Sequence, residues 1–165
     1  MSEHFTFTIS VDAPASVLYE AISGAEGPKH WWTKFARCTD RVGEISEFPF
    51  PQAGFFAAMK IRRLEPSRLV EWECVEQVHS KETGWADLHD WQGTTVRFEI
   101  EPKGDGASTL RFEHVGLSPV LECYETCDSA WRYYVGDSLK AYVETGQGKP
   151  FADDSEDNIR RRKEK

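Results

Sequence analysis

Near the C-terminus, Trp131, Val135, Leu139 and Tyr142 recur at i, i+4, i+8 and i+11, the stripe of one helix over residues 129–145, with Gly146 as its stop. Most of the chain between residues 41 and 115 has a period of two instead. An antiparallel sheet with one apolar face needs a cover for that face. One long helix is available, so the pattern predicts an α+β fold in which it lies across a curved sheet.

The other elements follow from local signals. Phe5, Phe7, Ile9 and Val11 alternate with Thr6, Thr8 and Ser10, which predicts a strand from His4 to Val11. Asp12 is the expected cap of a short helix with Pro14 in its first turn, apolar positions Val17, Leu18, Ala21 and Ile22, and Gly24 as its end. Gly27-Pro28 then leads into KHWWTKFARC. Three strands are expected at Val42 to Phe48, Phe55 to Leu64 and Leu69 to Val75, separated by turns at FPFPQAG and Pro66-Ser67-Arg68. Residues 77–92 show no period and read as a polar loop carrying Trp85 and Trp91. Val96, Phe98 and Ile100 pair through the KGDGAS turn with Leu110, Phe112 and His114. Ser118-Pro119 opens an irregular stretch, with Asp128 as the expected cap of the last helix.

A chain of 165 residues suits one domain with a real core. Its net charge of −8 argues against nucleic acid as a partner, since that needs a basic footprint. No apolar run approaches the ~20 residues of a membrane span, so no membrane insertion is expected. MSEHFTFTIS has neither a basic nor an apolar signal region, and the four cysteines read as reduced thiols; the expected location is cytoplasmic.

No nucleophile elbow, zincin motif, phosphate loop or dinucleotide fingerprint occurs, so no catalytic residue and no cofactor is assigned. Cys123 and Cys127 share a helix face and Cys74 points inward, a conceivable zinc set, but the spacing matches no zinc ribbon or finger. Buried thiols acting as small hydrophobes are the expected reading, with no metal. His89-Asp90 is adjacent in sequence on a loop, which rarely makes a shared site. Gly136, inside the last helix, is either a close-approach point or a tolerated surface glycine. His114 shares its parity with Leu110 and Phe112 and is expected near the mouth of any cavity, as a polar contact for a ligand. Trp31 and Trp32 are either both core, or Trp31 plugs the interior while Trp32 lies on a rim with Lys29 and Lys34 turned outward. Trp85 and Trp91 are similar rim candidates.

FTFTISVDAPASVLYEAIS, HWW, RLEPSRLVEWEC, WQGTTVRFEI, STLRFEHVGL and AWRYYVGDSLKAYVETGQGKP follow one another over about residues 4–150. In that order and spacing the chain resembles the SRPBCC (START-like) superfamily, in its branch of activator-of-heat-shock-protein-90-ATPase homologues. The resemblance implies a helix-grip fold: a curved antiparallel sheet wrapped around a long C-terminal helix, two short helices after the first strand, and a cavity between sheet and helix. It implies one domain over residues 1–150; the acidic block followed by a basic one in DDSEDNIRRRKEK separately predicts a flexible charged tail over residues 151–165. The expected function is binding of a small apolar or amphipathic molecule, with Trp32, Trp72, Phe98, Phe112, His114, Trp131 and Val135 as contacts. The alternatives are a chaperone-associated interaction protein and a cyclase- or hydrolase-like enzyme using the same cavity.

Overall fold

A computed structural model describes residues 5–152. β1 (Phe5–Val11) leads into α1 (Ala15–Ser23) and a 3-10 turn (Gly27–His30), followed by β2 (Ile45–Phe50), β3 (Phe55–Glu65) and β4 (Leu69–Val78). The hairpin of β5 (Thr95–Pro102) and β6 (Ser108–Val115) comes next. Three continuous segments then form the C-terminal helix: α2 (Tyr124–Trp131), a π-helical stretch (Arg132–Leu139) and α3 (Lys140–Thr145). Among the described residues, six strands make one antiparallel sheet in the order β1-β6-β5-β4-β3-β2. With the long helix against it, this is the helix-grip α+β fold.

Alternation builds the sheet as expected. Phe7 pairs with Phe112, Phe112 with Phe98 and Phe98 with Val70, so one apolar row crosses four strands. The opposite face carries charge: Arg97 donates to Glu71 and to Glu113, each at 3.0 Å, across the β4, β5 and β6 ladder. Trp131, Val135 and Leu139 are buried against the apolar face.

Several boundaries differ from the sequence reading. β2 begins at Ile45 and runs through Phe48-Pro49-Phe50, which had the signature of a turn. β2 is an edge strand, where the missing N–H of Pro49 is tolerated, and the turn moves to Pro51–Ala53. Asp12 does not cap α1; Pro14 holds that position, and the Asp12 backbone N–H donates instead to Glu144 Oε2 at 2.8 Å. The last helix starts at Tyr124, so Asp128 lies inside it and accepts from Arg132 Nε at 2.5 Å.

One departure shapes the site. β4 continues to Val78, and Met59 pairs with Cys74 while Ala58 pairs with Glu76, leaving Val75 as an extra residue. That bulge reverses the side-chain parity of the strand. Cys74 is buried, Val75 and Glu76 face out, and Gln77 and His79 turn inward.

Both tryptophans of KHWWTKF belong to the core. Trp31 donates its indole N–H to the Ala21 carbonyl at 2.8 Å and meets Phe98 edge-on. Trp32 packs at 4.3 Å from Phe48 and 5.1 Å from Trp131, measured between ring centroids, while Lys34 is exposed. The helix ends at Gly146 and the chain returns under this segment. The Phe151 N–H donates to Trp32 O and its carbonyl accepts from the Lys34 N–H, both at 2.9 Å. Phe151, the first residue of the expected tail, is therefore docked and buried; residues 153–165 lie outside the described residues. No helix among the described residues is long and apolar enough to cross a membrane.

Candidate functional site

A cleft of about 500 Å³ opens between α2, the β2–β3 connection and the loop after β4. Aromatic rings dominate its walls. Trp91 and Trp131 stack at 5.5 Å, Trp32 leans on Trp131, and Phe50 bridges to Tyr134 and Phe151. Ser80, Thr83, Glu125 and Thr126 also line it, and Thr83, Glu125 and Thr126 are exposed, which puts polar groups at the rim. The cleft lies to one side of the sheet, because large side chains fill the space under the sheet centre: Trp72, Phe98, Phe112 and Val135 are at most 1% exposed. Such space is filled at crystal-like density.

Of the residues expected to contact a ligand, Trp32 and Trp131 line the cleft. Trp72, Phe98, Phe112, His114 and Val135 sit in the packed core behind it. Trp85 and Trp91 also line the cleft, Trp85 half-buried and Trp91 almost fully buried.

His114 is fully buried, not at a mouth. The Trp131 indole N–H donates to its Nδ1 at 3.1 Å. An indole can only donate, so the imidazole proton resides on Nε2, which donates to Thr94 Oγ1 at 2.8 Å. The Thr94 hydroxyl in turn donates to the Trp91 carbonyl at 2.5 Å. Burial pushes the His114 pKa down to about 3, because the surrounding apolar core penalises the charged form. With both nitrogens engaged and no exposed surface, His114 is a structural hub rather than an acid–base group.

A second set of polar residues lies at the edge of the cleft, with His79 and Cys127 in its wall and Cys123 behind it. His79, Cys123 and Cys127 are all buried, and one ligand atom from each lies within 4.8 Å of the others. His79 Nε2 is 2.9 Å from Asp90 Oδ1, with both side chains almost fully buried. Burial opposes a charge on His79, but the hydrogen bonds and charges of Cys123 and Asp90 outweigh it and raise its pKa. A hydrogen bond from Cys127 draws the Cys123 thiol down to about 7, whereas burial holds the Cys127 thiol well above its usual range. Trp91 Nε1 donates to Cys127 Sγ at 3.3 Å. Gln77 fastens the loop that delivers Asp90, accepting the Trp91 N–H on its side chain at 3.0 Å and contacting His89 Nδ1 through its carbonyl at 2.6 Å.

The sequence reading set the Cys123–Cys127 pair with Cys74, whereas the structure sets it with His79. The same reading weighed Asp90 with His89, its neighbour, whereas Asp90 pairs with His79. The missing signal is the bulge at Val75, which no periodicity in the sequence announces.

Residues 12–144 match the family model described as Activator of Hsp90 ATPase homolog 1-like protein. No curated protein matches the chain. Among solved structures, the solution structure of the Aha1 dimer from Colwellia psychrerythraea is similar, with a TM-score of 0.71 and 23% identity over 89% of this chain and 100% of that one. The crystal structure of DynU16, a protein of the dynemicin biosynthetic locus, has a TM-score of 0.66 and 17% identity, over 92% of this chain and 51% of DynU16. The Staphylococcus saprophyticus protein SSP2350 has a TM-score of 0.66 and 15% identity, over 89% of this chain and 96% of that one. At these identities the likeness is one of fold.

Proposed function

We propose that this chain, which belongs to the Activator of Hsp90 ATPase homolog 1-like family, holds one small apolar or amphipathic molecule in the cleft beside α2. The observation that carries this reading is a volume of about 500 Å³ walled by aromatic rings with polar groups at the rim. Small-molecule sites have this size and character, roughly 300–1,000 Å³ with few, placed polar groups. The apolar part of the ligand lies on Trp131, Trp91 and Trp32; its polar end meets Ser80, Thr83 and Thr126.

Four of the six tryptophans line the cleft, so occupancy is readable as a change in intrinsic fluorescence. Native mass spectrometry of freshly purified protein, followed by titration with a panel of apolar and amphipathic probes, tests the reading. Binding is expected in the parent chain and is lost in Ala130→Trp, which fills the cleft from the helix side while the core beneath stays unchanged. No retained molecule and no fluorescence response to any probe would refute it.

A second reading, contact with an Hsp90-type chaperone, rests on the family description. It ranks lower, because the large exposed apolar side chains Val17, Val42, Ile45, Val75 and Val120 are spread over separate elements and loops. A purified Hsp90 whose ATPase rate is unaffected by the chain, with no measurable association, would remove it.

A further inference from the structure

We infer that His79, Cys123 and Cys127 form a zinc-binding site at the edge of the cleft, with the Asp90 carboxylate holding His79 beside it. This inference does not depend on the apolar-ligand reading, since zinc is counted directly whether or not the cleft binds anything else.

The geometry comes first. Cys123 and Cys127 stand one turn apart at the start of α2, so both thiols face the end of β4. The bulge at Val75 turns His79 to the same side. Their ligand atoms lie within 4.8 Å of one another. A tetrahedral ion with Zn–S near 2.3 Å and Zn–N near 2.0 Å sets its ligand atoms roughly 3.5–3.8 Å apart. An inward movement of about 1 Å, within reach of side-chain rotation, closes the set.

Chemistry then selects the ion. Two thiols and an imidazole form a borderline-soft set, which suits zinc and disfavours magnesium or calcium. Asp90 supplies an independent indication. Its Oδ1 holds His79, while its Oδ2 is buried with no hydrogen-bond partner. A buried carboxylate oxygen without a donor is costly, and a cation beside it removes that cost. On binding, each thiol gives its proton to solvent, and the two thiolates and the neutral imidazole hold the ion with the Asp90 carboxylate beside them.

The same groups resemble a thiol–imidazole–carboxylate nucleophile, but exposure decides against that. Cys123, the thiol drawn toward ionisation, is fully buried and does not line the cleft, so no substrate carbon reaches it. A metal ligand needs no such access.

The test uses the full-length, tag-free, reduced chain, stripped with chelator, loaded with zinc chloride and desalted. Native mass spectrometry should count one zinc per chain, and cobalt(II) in its place should give a thiolate-to-cobalt charge-transfer absorption. Cys123→Ser and Cys127→Ser should each weaken zinc binding by at least a hundredfold, and Asp90→Asn by about tenfold; Cys38→Ser should bind like the parent. Thermal melting confirms that each variant is folded. The cobalt spectrum of the parent chain decides independently of any variant: absence of charge transfer overturns the inference. So does zinc retained undiminished by the Cys123→Ser/Cys127→Ser double variant.

Discussion

The His114 network predicts a specific pH dependence of stability. The unfolded histidine titrates near 6.5, and burial lowers the folded value to about 3. Between these values the unfolded chain takes up a proton that the folded chain refuses. The stabilisation is therefore complete above pH 6.5 and is lost as pH falls, until the folded group itself protonates near 3. At pH 5 the loss amounts to about 2 kcal/mol, and the full separation corresponds to about 5 kcal/mol at about 1.4 kcal/mol per pH unit. His79 works in the opposite sense: its folded pKa is raised, so its contribution is present below 6.5 and fades as pH rises through the folded value. A comparison with His114→Asn isolates the effect. Asn can still accept the Trp131 indole N–H but does not titrate, and groups common to both chains cancel. Urea unfolding followed by tryptophan fluorescence at pH 8, 6.5 and 5 gives both curves. The variant should be less stable by roughly 1–3 kcal/mol at pH 8, and the gap should narrow by about 2 kcal/mol at pH 5. A gap that stays constant would refute a neutral, buried His114.

Gly136→Ala should raise stability by about 0.5–1 kcal/mol and the melting temperature by about 1–4 °C, since an added methyl meets only Phe7 Cε2 at 3.7 Å; a drop in Tm would show that the π-helical stretch requires glycine. Gly148→Ala should cost roughly 2–4 kcal/mol in urea unfolding, because a Cβ there would lie 2.2 Å from the His30 carbonyl oxygen. Unchanged stability would mean that the chain exit shifts freely. Arg97→Ala should cost about 1–2 kcal/mol, as it strips a charge-assisted hydrogen bond from the nearly buried Glu113, and Arg97→Lys should not restore it, lacking the fork that spans Glu71 and Glu113. Full recovery with lysine would show a point charge to be sufficient.

Much of the fold was legible because it follows periodicities. Phe98 and Phe112 alternate within their strands and pair across the hairpin, and Trp131, Val135 and Leu139 trace the covering helix. The boundaries that moved did so where two local signals compete. Pro49 reads as a turn residue but is admissible on an edge strand, and Asp128 reads as a cap but serves an i,i+4 pair with Arg132. The site was less legible. Of the residues expected to contact a ligand, Trp32 and Trp131 line the cleft, whereas Trp72, Phe98, Phe112 and Val135, expected on the same apolar character, fill the core.

By itself, then, the order of alternating and helical patterns determined a helix laid across an antiparallel sheet, because side-chain periods of two and 3.6 are properties of the local backbone. Only the tertiary structure decided where the aromatic rings leave space and which polar groups meet. The position of the cleft depends on how large rings of the sheet, helix and loop interlock, a property of shape that residue type does not encode. The meeting of His79 with Cys123, Cys127 and Asp90 depends on one extra residue in β4, which turns a histidine from one face of the sheet to the other.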